Sequence, residues 1–273
     1  MINPALLHEL RSTIRLESAS SGIQPIKATP SRSDLCFIDG GNAEILSSAA
    51  FSLHLIRTAS VLWREKRVST SISDFFALVR GDTASIYPLQ GACSFPSEIP
   101  FTSIDALRRE AELACALRNK PQTTIIDGSL DAATGIDHGR ILELNDPGLI
   151  AVSKTSGKIP AAKDLLSCGS ACYSSLGNHS YLVKFHPKAK YLFRVDTLHP
   201  ETLSLILSHC SDPAFLGYPY GLIVADQQAR IPNAEASLLQ MKIRVLLGKD
   251  ESSLQFHLNS KNAHTILDTA RNL

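Results

Sequence analysis

Two segments of this chain are near copies of one another, and they narrow the possible folds more than any other feature. Phe37-Ile-Asp39-Gly-Gly and Ile125-Ile-Asp127-Gly-Ser each carry a short apolar run into an aspartate followed by glycine. A strand that delivers a carboxylate at its C-terminal end is how α/β folds place chemistry at a sheet edge. Asp-Gly also makes ordinary turns, so one copy would say little. Two copies bracketing a helix say more.

That helix is expected over Thr102–Arg118, with Thr102 or Ser103 as cap, Asp105 in the first turn and Arg118 near the end. At about 100° per residue from Leu107, Ala106, Leu113, Ala114 and Leu117 help centre an apolar arc near about 320°. Glu110 falls at about 300°, inside the arc, and Glu112 at about 140°, on the expected solvent side. A carboxylate facing a sheet is costly unless it is protonated, paired with a cation or bound to metal. A Glu110–Arg pair is the structural alternative to a metal ligand.

The remaining pattern is mixed. Residues 2–17 carry Ile2, Leu6, Leu7, Leu10 and Ile14 at helical spacing, and 18–33 read as a polar linker. Leu35–Asp39 is a strand stopped by Gly-Gly, with Ala43–Leu46 as a continuation after a turn. Phe51–Val61 alternates like a half-buried strand, Arg67–Ile72 is β-branched, and 73–100 is ambiguous. Strands are expected at Leu149–Lys154, Tyr181–His186 and Tyr191–Asp196. Helices are expected at Pro200–His209, Pro219–Arg230, Ala234–Leu247 and near Asn262–Arg271.

Composition sets outer limits. Of 273 residues, 44% are hydrophobic and 19% charged, which excludes wholesale disorder. No apolar run approaches the ~20 residues of a membrane span. The first residues, MINPALLHELRSTIRLES, include acids and lack an unbroken apolar core, so a cytoplasmic protein without a secretory signal is expected. A formal charge of +1 neither supports nor excludes nucleic acid, because a basic groove and an acidic metal site cancel in the sum. The six cysteines read as small reduced core residues. Cys168-x3-Cys172 with His179 and His186 is looser than structural zinc spacings, and reads as a Ser/Gly-rich loop with incidental cysteines.

Strand-Asp, strands, helix-Glu, strand-Asp is the carboxylate order of RNase H-like nucleases. Convergent hard oxygen donors hold Mg²⁺ or Mn²⁺, and a pair of such ions activates water and stabilises the leaving alkoxide in phosphodiester hydrolysis. Four segments in this order resemble the NurA family of DNA nucleases. They are Ile38-Asp39-Gly40-Gly41, Ile126-Asp127-Gly128-Ser129-Leu130, Val152-Ser-Lys154-Thr, and Gly217-Tyr-Pro-Tyr-Gly-Leu-Ile-Val-Ala-Asp226-Gln-Gln-Ala-Arg230-Ile, spread over residues 35–231.

The resemblance implies an α/β, RNase H-like mixed sheet flanked by helices, with residues 1–33 as an N-terminal helical extension and 34–273 as the nuclease domain. It implies Asp39, Glu110, Asp127 and Asp226 as ligands for Mn²⁺ or Mg²⁺, two ions in all, with Glu112 as the fallback helix acid. Some members have His at the Asp226 position. Lys154 would stabilise charge at the scissile phosphate, and Arg230 would touch a DNA phosphate. Tyr218 and Tyr220 are read as packing residues. Implied too are 5′→3′ exonuclease and single-strand endonuclease activity on DNA in double-strand break processing, a homodimer, and a hexameric HerA-type ATPase. No Gly-x4-Gly-Lys-Ser/Thr pattern occurs, so any motor is a separate protein.

Two other readings compete. A non-catalytic RNase H-like subunit would bind DNA or a motor without metal. A Ser or Cys hydrolase lacks Gly-x-Ser-x-Gly support.

Overall fold

A computed structural model describes residues 22–27, 34–64, 67–90, 96–118, 123–130, 148–154 and 162–256. The helices expected at 2–17 and 262–271 lie outside them. In chain order the strands and helices are β1 (Gln24–Pro25), β2 (Leu35–Ser47), β3 (Ser52–Arg64), β4 (Arg67–Arg80), β5 (Thr83–Gln90), β6 (Glu98–Pro100), α1 (Ile104–Arg118), β7 (Thr123–Asp127), β8 (Leu149–Ser153), α2 (Ala162–Ser167), β9 (Cys172–Gly177), β10 (Ser180–Lys184), β11 (Phe193–Asp196), α3 (Leu203–Ile206), α4 (Tyr220–Ala229) and α5 (Asn233–Leu247).

They group into two compact units. The first holds Asp34–Ile126 and the chain from Gly221 onward. Its strands run in the order β7-β2-β3-β4-β5-β6. The β2–β7 pair is parallel and the others are antiparallel. This is a mixed sheet flanked by helices, the expected α/β class. Strand β3 was expected to be half-buried, yet it is buried on both faces because both are covered. Ile56 joins Phe75, Ala77 and the α1 residues Leu107 and Ala111 on one side. Leu55 joins Ile45, Leu46 and the α5 residues Ala236, Leu239 and Ile243 on the other. Arg57 anchors α5 to the sheet: its guanidinium donates to Asp74 at 2.9 Å and to Glu235 at 2.7 Å.

Strand β2 does not stop at Gly40-Gly41, contrary to the sequence expectation. It runs unbroken for 13 residues. Within the ambiguous stretch 73–100, the described residues include the rest of β4, a two-residue turn at Gly81-Asp82, β5 and β6. Gly81 takes φ +59°, the positive region that such a hairpin turn requires.

The second unit contains β1, the residues Asp127–Leu130, and the chain from β8 to Tyr220. Its strands run β1-β9-β10-β11-β8, all antiparallel. Part of the expected linker is therefore paired: Gln24 and Pro25 lie opposite Tyr173 and Cys172. The expected Ser/Gly-rich loop contains α2 and β9, and Cys172 is buried in the latter. Burial pushes the Cys36 and Cys172 thiols up to about 12, so both are inert packing groups. The helix expected over Pro200–His209 is segmented, with 3₁₀ turns on either side of α3.

Candidate active site

Pleating sends successive side chains of β2 to opposite faces. Phe37 packs against Gly221 of α4, where a Cβ would collide with the ring. A Cβ at Gly41 would collide with the carbonyl oxygen of Ala229, near the end of the same helix. Helix α4 thus lies along the odd-numbered face of β2, and Asp39 sits between those two contacts. Asp39 is 4% exposed, and its Oδ1 accepts the Gly40 amide at 2.7 Å. The two glycines are in the strand because helix backbone and side-chain atoms come too close for any larger residue. They permit close approach and do not end the strand.

The even-numbered face belongs to α1. A Cβ at Gly40 would stand 2.6 Å from Glu112 Oε1 and 2.9 Å from Arg108 Cγ. Glu112 is fully buried; Arg108 Nη1 donates to its Oε1 and Arg109 Nη1 to its Oε2, both at 2.6 Å. Arg108 also donates to the Gly40 carbonyl at 3.2 Å. Contrary to the expected helix face, Glu112 is the inward acid, and Glu110 is half-buried. The expected apolar arc leans on Ala106, Ala114 and Leu117, whereas the buried positions are Leu107, Ala111, Glu112, Leu113, Cys115 and Ala116. The buried Glu–Arg pairing considered for Glu110 is realised by Glu112.

In the second unit, Asp127 ends β7, and its Oδ2 accepts Lys154 Nζ at 2.8 Å. Lys154 is also 5.2 Å from the Tyr218 ring centroid, and Tyr218 packs on Phe193 at 5.3 Å. Tyr218 is thus a packing residue, as expected. The turn after Asp127 is held at two amides: Gly128 donates to the Val152 carbonyl and Leu130 to Asp196 Oδ2, both at 2.8 Å. Asp196 is buried and also accepts Ser180 Oγ at 2.7 Å and Arg194 Nε at 2.9 Å. Sequence reasoning missed Asp196 and the Arg108–Glu112 pair. Their signals were an Arg-x-Asp alternation on β11 and an i,i+4 ion pair on α1.

Asp226 and Arg230 are both exposed, one helical turn apart on and just beyond α4. Among the described residues, no three His, Cys, Asp or Glu side chains cluster closely enough to hold a metal ion. Asp127 is met by Lys154 and Glu112 by two arginines. The donors on offer are hard carboxylate oxygens, which suit Mn²⁺ or Mg²⁺.

No family model and no curated protein matches this sequence. Among solved structures, NurA aligns over 89% of this chain and 94% of its own, at 10% identity with a TM-score of 0.52. This chain has the NurA fold. NurA with manganese aligns over 90% of this chain and 96% of its own, also at 10% identity and 0.52. Endonuclease V from Streptomyces avermitilis aligns over 83% and 89%, at 16% identity with a TM-score of 0.42. The resemblance read from four short segments therefore holds at the level of the NurA fold. Among the described residues no helix is long and apolar enough to cross a membrane.

Proposed function

We propose that this chain is a divalent-metal-dependent DNA nuclease. The observation that carries the reading is the β2–β7 register: Ile38 lies opposite Ile126 in a parallel pair, and each is followed directly by its aspartate. The solved NurA with manganese supports the choice of metal.

Helix α1 covers the face of β2 opposite to that of Asp39. The ligand set proposed is accordingly Asp39, Asp127 and Asp226; Glu112 braces α1 and Glu110 stands outside the set. Two Mn²⁺ or Mg²⁺ ions bound there would activate water and stabilise the leaving oxygen. Lys154, paired with Asp127, would donate to the scissile phosphate and offset its charge. Arg230 would meet a neighbouring phosphate. We extend the reading to 5′→3′ exonuclease and single-strand endonuclease action in break processing, a homodimer and a HerA-type ATPase that feeds DNA to it.

The alternative reading is a non-catalytic subunit that binds DNA or a motor. One experiment separates the two. End-labelled single-stranded and duplex DNA is incubated with purified protein across Mn²⁺ and Mg²⁺ titrations, with and without an ATPase partner. Metal-stimulated cleavage that falls to background in Asp127→Ala is the expected result. No cleavage under any of these conditions would overturn the nuclease.

A further inference from the structure

Between Asp164 and Asp196 the chain contains no acidic residue, although Lys184, Lys188, Lys190 and Arg194 fall in that stretch. Two of these cations serve the fold. Lys184 is buried, and its Nζ donates to the Leu166 and Cys168 carbonyls at 2.7 Å, closing the end of α2. Arg194 pairs with Asp196. Lys188 and Lys190 do neither; they are exposed on the connection between β10 and β11, next to Tyr191, which is 71% exposed.

That connection is firmly anchored. Phe185 and Ala189 are buried, and the Ala189 amide donates to the His186 carbonyl at 2.9 Å. The Ala189 methyl stands 2.6 Å from where a Cβ at Gly217 would be, so the turn is seated on Gly217. Leu192 packs against the cluster of Leu165, Cys172 and Leu182. Tyr191 is therefore held out in solvent between two fixed points. Beside two lysines, so exposed an aromatic ring has the chemistry of a base-stacking platform along a phosphate chain. The seat also leads toward the acid: Gly217 precedes Tyr218, whose ring carries Lys154, the partner of Asp127.

We infer that the β10–β11 connection is a landing platform for single-stranded DNA, with Tyr191 stacking on a base and Lys188 and Lys190 meeting phosphates. The inference rests on the nuclease reading and names part of the path by which its substrate would reach Asp127.

The test is fluorescence anisotropy of a labelled oligothymidylate with the full chain in EDTA, so that binding is read without cleavage. Tyr191→Ala weakens binding by about 5- to 150-fold, and Tyr191→Trp retains it. The double variant Lys188→Ala/Lys190→Ala lowers the slope of log K against log salt by about 1.4, two single-strand phosphate contacts' worth. All three variants keep the wild-type urea midpoint, because the side chains are exposed. Wild-type affinity and slope in both alanine variants, or no binding by the wild type at low salt, overturns the platform. If the platform fails while Asp127→Ala still abolishes cleavage, the nuclease stands without it. Binding that depends on Tyr191 in a protein that cleaves under no metal leaves the platform standing and removes the nuclease.

Discussion

A methyl group added at Gly41 runs into the Ala229 carbonyl oxygen, and neither the strand nor the helix backbone can yield cheaply. Alanine in place of glycine would otherwise favour a strand by about 0.5–1 kcal/mol. Overpacking against backbone costs about 1–3 kcal/mol and outweighs that gain. Gly41→Ala is therefore expected to lower the unfolding free energy by about 2 kcal/mol. Gly169→Ala, with nothing within 4 Å of the new Cβ, should change it by less than about 0.5 kcal/mol. Urea midpoints compare the two, and equal midpoints would mean the helix does not press on the strand as described. This constraint was hidden in the sequence. Gly-Gly after an aspartate looks like a turn, and only the partner helix, nearly two hundred residues away, shows why side chains are missing there.

At the scale of the element, α1 rests on a carboxylate clamped by two arginines. Removing one partner of a buried ion pair costs about 3–5 kcal/mol, because the remaining charge stays desolvated. Arg108 and Arg109 retain some solvent, with side chains 23% and 11% exposed, which lowers the penalty. Glu112→Gln is expected to destabilise the protein by about 2–4 kcal/mol, and Glu110→Gln, at a residue that is not fully buried, by less. Chemical denaturation of the two variants checks the assignment, and a larger loss for Glu110→Gln would reverse it. The helix itself was legible from its cap and length. Its inward face was not, because alanines sit on several sides of it and the true face includes charged residues that neutralise one another. Strands β8, β10 and β11 were legible from apolar runs ending in polar residues. β9 was not, since Cys172-Tyr-Ser-Ser-Leu-Gly carries little apolar periodicity and is a strand only because β1 and β10 pair with it.

For the whole molecule, pH acts through His209, whose pKa burial depresses below the usual 6.5. Below that value the unfolded chain takes up a proton that the folded chain resists, so unfolding binds protons and stability rises with pH. The loss begins as pH falls through 6.5 and continues down to the depressed folded-state value. His209→Gln should flatten the stability curve between pH 7 and pH 5; an unchanged curve would show that the imidazole is not desolvated. What the sequence conveyed about the entire chain was the order of its acids and strands, enough for the NurA fold. It conveyed little about which cations those acids meet: Lys154 reaches Asp127 only after the elements have packed, and the Arg108 and Arg109 pairs with Glu112, though local to α1, were hidden behind the wrong inward face.

The bare backbone of Gly40 and Gly41 has a final consequence. Asp39 is located by main chain pressed between two helices, with Ala229 of α4 against Gly41 and Glu112 of α1 against Gly40. A scaffold of this kind can exchange most of its residues and keep its fold, as 10% identity to NurA at a TM-score of 0.52 indicates. Substitution should accordingly be least tolerated at the two residues that follow this aspartate.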